Sequence, residues 1–136
     1  MSAPARLIDT NLIIRFLVQD HEKHAKAASK LFEACDRGEV TLVVLPAVLA
    51  ESVFVLESFY RHGRANIARV LSGLIGSPGV QTPDAPLQLD ALKRYAGSKA
   101  HFVDCLIAAH AAATGLPVAS FDHDLASFAD MKVELE

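Results

Sequence analysis

A run of five residues, Val40-Thr41-Leu42-Val43-Val44, leaves little choice of architecture. It is β-branched and almost continuously apolar, the pattern of a strand buried on both faces rather than one with a wet side. Such a strand needs helices over each face and parallel neighbours reached through helical crossovers. The flanks agree. From Glu22 to about Gly38, Ala25, Ala28, Leu31, Phe32 and Cys35 recur at helical spacing. Beyond the run, Pro46 stands where a helix starts, close to the first position, where its missing N–H costs nothing.

The rest of the chain repeats the alternation. Residues 5–8 read as a strand and Leu12–Val18 as a short helix. A helix over 47–60 is expected to pack Val48, Leu49, Ser52, Val55, Leu56 and Phe59. Another follows over 64–74, closed by Gly76-Ser77-Pro78-Gly79. Val80–Thr82 is a short strand. A helix from about Asp84 carries Leu87, Leu89, Leu92 and Tyr95, and an Ala-rich helix runs over 102–114 to Gly115. Residues 117–120 form a strand, 125–129 a turn or two of helix, and 132–135 a last strand. The expectation is an α/β fold with a mainly parallel sheet, formed by residues 1–136 as one domain.

With 51% hydrophobic residues in 136, the chain can bury a real core. No apolar run approaches the ~20 residues of a membrane span, and no basic-then-apolar leader opens the sequence. A cytoplasmic location is expected, with Cys35 and Cys105 as reduced, buried thiols. A net charge of −3 argues against a broad basic face for nucleic acid.

Four acids stand in apolar company. Asp9 lies between Leu7-Ile8 and Leu12-Ile13-Ile14. Glu51 is the only charge from Val40 to Leu56, and Asp104 the only acid from Phe102 to Leu116. Asp122 follows Val118-Ala119-Ser120-Phe121. A buried carboxylate demands a partner. Each has a bland account: Asp9 and Asp122 as helix caps, Asp104 favoured by a helix dipole, Glu51 paired with Arg61 or Arg64. Asp9 and Asp122 nonetheless end strands, and Glu51 lies early in a helix that follows one, so three share the carboxyl edge of the sheet, where ligands bind. Periodicity leaves the edge of Asp104 open. Were the four to converge, their repulsion would call for a cation. Oxygen-only ligands select Mg²⁺, with Mn²⁺ able to substitute, and Thr10, Asn11 and Ser120 would support them. Such a site directs a metal-activated water at a phosphodiester. Setting the four aside takes the net charge from −3 to +1, so the remaining surface does not strongly repel a polyanion.

Other polar residues carry weaker signals. His21 and His24 could share a face but suit a solvated helix start, because zinc needs three or four ligands. His101 and His123 stand near acids of the set, and His110 suits a core or interface position. Arg15, Arg61, Arg64 and Lys99 could meet phosphates, although a solvated face is the default.

Leu7-Ile8-Asp9-Thr10-Asn11, Glu51 in its apolar helix, Phe102-Val103-Asp104-Cys105-Leu106-Ile107-Ala108-Ala109, and Pro117-Val118-Ala119-Ser120-Phe121-Asp122 together resemble a PIN domain. Within that superfamily the chain is most similar to the VapC-type toxins of bacterial toxin–antitoxin pairs. The match runs from Leu7 to about Phe128, with the acids in family order. The resemblance implies a three-layer α/β/α sandwich and a Mg²⁺-dependent endoribonuclease. It also implies a homodimer, restrained by a small antitoxin whose tail reaches the acidic cleft. By position, Asp9 and Asp104 are the principal metal ligands, Glu51 completes the cluster and Asp122 is the fourth acid; the place of Asp104 in the set rests on the family. Ser120 stands where the family more often has Thr, which keeps the hydroxyl, and Asp124 is an alternative to Asp122. The rival readings are a non-catalytic PIN-fold binding module and a housekeeping RNA-processing nuclease on the same scaffold.

Overall fold

The structure, a computed structural model, describes residues 3–135, the side chains of His123, Asp124 and Leu135 excepted. Its contacts gather into two compact units, one up to Ala85 and one from Pro86 onward.

The first unit holds β1 (Ala5–Leu7), α1 (Thr10–Val18), α2 (Glu22–Asp36), β2 (Thr41–Val43), α3 (Pro46–Ser58), α4 (Arg64–Ile75) and β3 (Val80–Gln81). The strands form one sheet in the order β1-β2-β3, all parallel, with Leu7 opposite Val43 and Leu42 opposite Val80. Each crossover is a helix pair, the length a parallel connection requires. Leu42 and Val44 are wholly buried, as are Ile13, Leu49, Leu56, Ile67 and Leu71 from the covering helices. Asp9 starts α1: its backbone is extended and Oδ1 accepts the Leu12 N–H at 2.9 Å. Pro46 opens α3 at its first turn. His21 caps α2, its Nδ1 accepting the His24 N–H at 3.3 Å, with the two rings stacked at 4.1 Å. The pair is thus a helix start, as its solvated setting suggests.

The second unit holds α5 (Ala85–Ala96), α6 (Phe102–Thr114), β4 (Val118–Ser120), a 3₁₀ turn over His123–Ser127 and β5 (Val133–Leu135). β4 and β5 pair in parallel, Ala119 opposite Glu134. Leu92, Tyr95, Cys105, Ala108 and Ala109 are buried, and the Tyr95 ring meets Phe102 edge-on at 6.0 Å. Arg94 ties the unit together. Its Nε donates to Asp90 at 3.0 Å, its Nη1 to Asp130 at 2.7 Å, and its guanidinium lies 5.5 Å from the Phe128 ring centroid.

The chain is therefore a mixed α/β protein, with six α-helices among the described residues and parallel strand pairing. Among the described residues no helix is long and apolar enough to cross a membrane. Cys35 and Cys105 are buried, and neither forms a disulfide among the described residues, as expected. Two apolar positions depart from the helical reading. Phe59 lies just past the end of α3 and is 76% exposed, and Leu89 faces outward on α5. Periodicity carried one residue beyond a helix end assigns a face that the chain no longer has.

Candidate functional site

Because β1 and β2 are parallel neighbours in register, the chain leaves both on the same edge of the sheet. Asp9 lies two residues past β1, and Glu51 in the second turn of the helix that follows β2. Both acids thus belong to the carboxyl edge of one sheet, the position argued from the sequence.

Their surroundings correct one expectation. Asp9 and Glu51 are exposed, not buried, as is Asp122, and Asp104 is half-buried. Their apolar sequence neighbours point to other faces of the helix or strand. The proposed ion pairs of Glu51 do not form either. Arg64 reaches Glu57 at 3.3 Å, and Glu51 has no hydrogen bond or ion pair among the described residues. Asp9 spends Oδ1 on its cap, and Oδ2 takes no partner among those residues. Two carboxylates on one edge without a cationic partner are the donor chemistry a hard divalent ion requires. Both residues fit such an ion.

Two adjoining clefts share Asn11 and Arg15. One, of ≈ 180 Å³, is bounded by Asp9, Leu12 and His24. The other, of ≈ 320 Å³, is bounded by Thr10, Glu51, Val55, Phe59 and Tyr60. The Thr10 side chain is mostly buried, whereas Asn11 is exposed.

Beside them is a network the sequence did not signal. Arg15 Nη1 donates to Asp20 Oδ1 at 2.7 Å, and the Tyr60 hydroxyl donates to Asp20 Oδ2 at 2.7 Å. The Tyr60 hydrogen bond, followed by that from Arg15, holds the Asp20 carboxyl below its ordinary range. The same bond to Asp20 holds the Tyr60 phenol above its own. Arg15, considered as a free phosphate contact, is instead half of an ion pair.

In the second unit Asp104 stands in the first turn of α6, where the helix dipole favours an acid. Past β4, the Asp122 N–H donates to Ser120 Oγ at 2.9 Å, so the Ser120 hydroxyl shapes the turn that presents Asp122. His101 precedes α6, exposed and without a side-chain cap bond, and His110 is exposed on the same helix. The side chains of His123 and Asp124 lie outside the described residues. The four acids therefore divide two and two between the units. Among the described residues no group of three or more His, Cys, Asp or Glu is arranged to hold a metal ion.

The PIN domain family profile matches residues 6–131. A VapC ribonuclease of Aquifex aeolicus (strain VF5) is 28% identical over 111 residues, covering 82% of each chain.

Proposed function

The chain belongs to the PIN domain family, and we propose that it is a metal-dependent endoribonuclease, the toxin half of a toxin–antitoxin pair. The similarity to a VapC ribonuclease over most of both chains supports this reading. The observation that carries it is the pair Asp9 and Glu51, on one sheet edge with carboxylate oxygens that no Lys or Arg neutralises among the described residues.

Asp9, Glu51, Asp104 and Asp122 are the proposed holders of Mg²⁺, with Mn²⁺ as substitute, and the proposed catalytic acids. When bound, the ion supplies Lewis acidity and charge neutralisation for hydrolysis of a phosphodiester. Asn11, exposed between the two clefts, is placed to orient a phosphate or a water. Ser120 fixes the turn before Asp122, and Thr10 is the first residue of the helix that Asp9 caps. The partners in this reading are an RNA substrate, a small antitoxin and a second copy of the chain, all in the cytoplasm. In the first unit Phe54 on α3, and separately in the second Val103 and Ile107 on α6, are exposed apolar side chains available for protein contacts.

The test is cleavage of mixed RNA by the purified protein with Mg²⁺, with Mn²⁺ and with EDTA, alongside Glu51→Gln and Asp104→Asn. Cleavage is expected only with a divalent ion, and each variant is expected to lose about a hundred-fold or more in rate while staying folded. A rise in thermal midpoint with Mn²⁺ should accompany it. Undiminished cleavage in EDTA, or in both variants, overturns the proposal.

A further inference from the structure

We propose that the cleft between α1 and the end of α3 seats one nucleobase of the RNA strand, with the Phe59 ring as its stacking platform. The inference rests on the ribonuclease reading and extends it to a part of the substrate.

Among the described residues of the first unit Phe59 is the most exposed large apolar side chain, 76% open to solvent. It stands in the same cleft as Glu51. An aromatic ring left in water beside a candidate catalytic acid has forgone burial that its neighbours in α3 obtain. Its surroundings hold it in place. The ring meets Tyr60 edge-on, with centroids 4.9 Å apart and planes at 72°. Tyr60 is pinned through its hydroxyl to Asp20, and Asp20 to Arg15 on α1, each at 2.7 Å. The chain past α3 is thereby tied back to α1, and the ring is offered on a braced segment.

The chemistry of the walls selects the occupant. Here Phe59 and Val55 supply apolar surface, while Asn11, Thr10 and Glu51 supply an amide, a hydroxyl and a carboxylate. A flat apolar face bordered by hydrogen-bonding edges is the description of a base, and aromatic stacking with edge contacts is how single-stranded RNA is held. At ≈ 320 Å³ the cleft lies at the small end of ligand-sized cavities, room for one such unit rather than a folded segment. With Glu51 as a further wall, a seated base would neighbour the bond to be cut. The Asn11 amide, able to donate and to accept, is the group placed to read its edge.

The test uses Phe59→Leu, which keeps an apolar side chain but removes the π face, and Phe59→Trp, which enlarges it. KM and kcat are measured on single-stranded oligoribonucleotides with Mn²⁺, and product ends are sequenced to give the nucleotide preference beside the cut. Phe59→Leu is expected to raise KM about ten-fold, well beyond any fall in kcat, and to flatten the preference. Phe59→Trp should keep both, and the exposed position should leave the thermal midpoint of each variant near that of the wild type. Wild-type cleavage with unchanged KM and preference in Phe59→Leu overturns the subsite and leaves the nuclease standing. A wild type that cuts no RNA removes both. Variants that keep wild-type RNA kinetics yet lose their hold on a protein partner also overturn the subsite and give the ring to protein docking.

Discussion

Asp9 carries two duties on one carboxylate. Oδ1 starts α1 by accepting the Leu12 N–H, and Oδ2 is left for another ligand. The bland and the sharp readings of Asp9 are therefore compatible, and two substitutions separate them. Asp9→Asn keeps a cap-forming oxygen, because Asn caps as well as Asp, but removes the charge. It should leave the denaturation midpoint almost unchanged while cleavage falls about a hundred-fold or more. Asp9→Ala should lose cleavage and in addition about 1 kcal/mol of stability, read from urea unfolding. Equal stability losses in the two variants would show that the cap is immaterial. At this scale the sequence marked Asp9 and Glu51 through their apolar neighbours but misjudged their burial. Residues next to each other along a helix face different ways, so company in sequence is not company in space. Nothing in the sequence pointed to Asp20 and Tyr60, which meet across 40 residues and belong to no periodic pattern.

At the scale of elements, the end of α2 and the start of β3 meet at Gly79. Its φ is +81°, and a Cβ there would lie 2.8 Å from Cys35 Sγ and 2.9 Å from Cys35 O. Its carbonyl meanwhile accepts the Leu42 N–H at 2.9 Å, so the backbone cannot shift without disturbing β2. Gly38 has a similar φ of +79°, but a Cβ there would meet nothing within 4 Å. Gly38→Ala should therefore cost only the left-handed backbone strain, about 1–2 kcal/mol. Gly79→Ala should cost that plus an overpacking term of about 1–3 kcal/mol. Denaturant titration of the two variants checks the order, and equal losses would refute the contact argument. Both glycines were visible as breakers, yet only coordinates reveal which one has a neighbour. The elements were read more completely than the contacts. α6 was placed at 102–114 as observed, because Gly115 stops it in a left-handed turn. α1 begins two residues earlier than its apolar pattern, since Asp9, not Leu12, decides where it starts. β1 and β2 are shorter than their apolar runs, yet Ile8 N–H still donates to Val43 O at 3.1 Å and Val44 N–H to Gln81 O at 2.8 Å, so the ladder reaches one residue past each strand.

For the molecule as a whole, the shifted groups set how stability depends on pH. Asp20 and Asp130 have folded-state values below the ordinary 3.8: Asp20 through Tyr60 and then Arg15, Asp130 through Arg94. A lowered carboxyl contributes stability that is present above its unfolded value and lost as pH falls through the folded one. Tyr60 runs the other way. Its hydrogen bond to Asp20 raises it above 10.0, so its contribution is present below that value and lost as pH rises through the folded one. The thermal midpoint should therefore be level through neutral pH, fall below about pH 4, and fall again above about pH 10. Asp20→Asn separates these limbs from general charge repulsion, because Asp20 takes part in both. It removes a lowered carboxyl, and it replaces the charged acceptor that raises Tyr60 with a neutral, weaker amide oxygen, so both limbs should flatten. Asp130→Asn should flatten the acid limb alone, since Arg94, its partner, stays charged throughout. Midpoints measured from pH 2 to 11 decide the matter. An alkaline fall as steep in Asp20→Asn as in the wild type would show that the Tyr60 bond to Asp20 does not govern it.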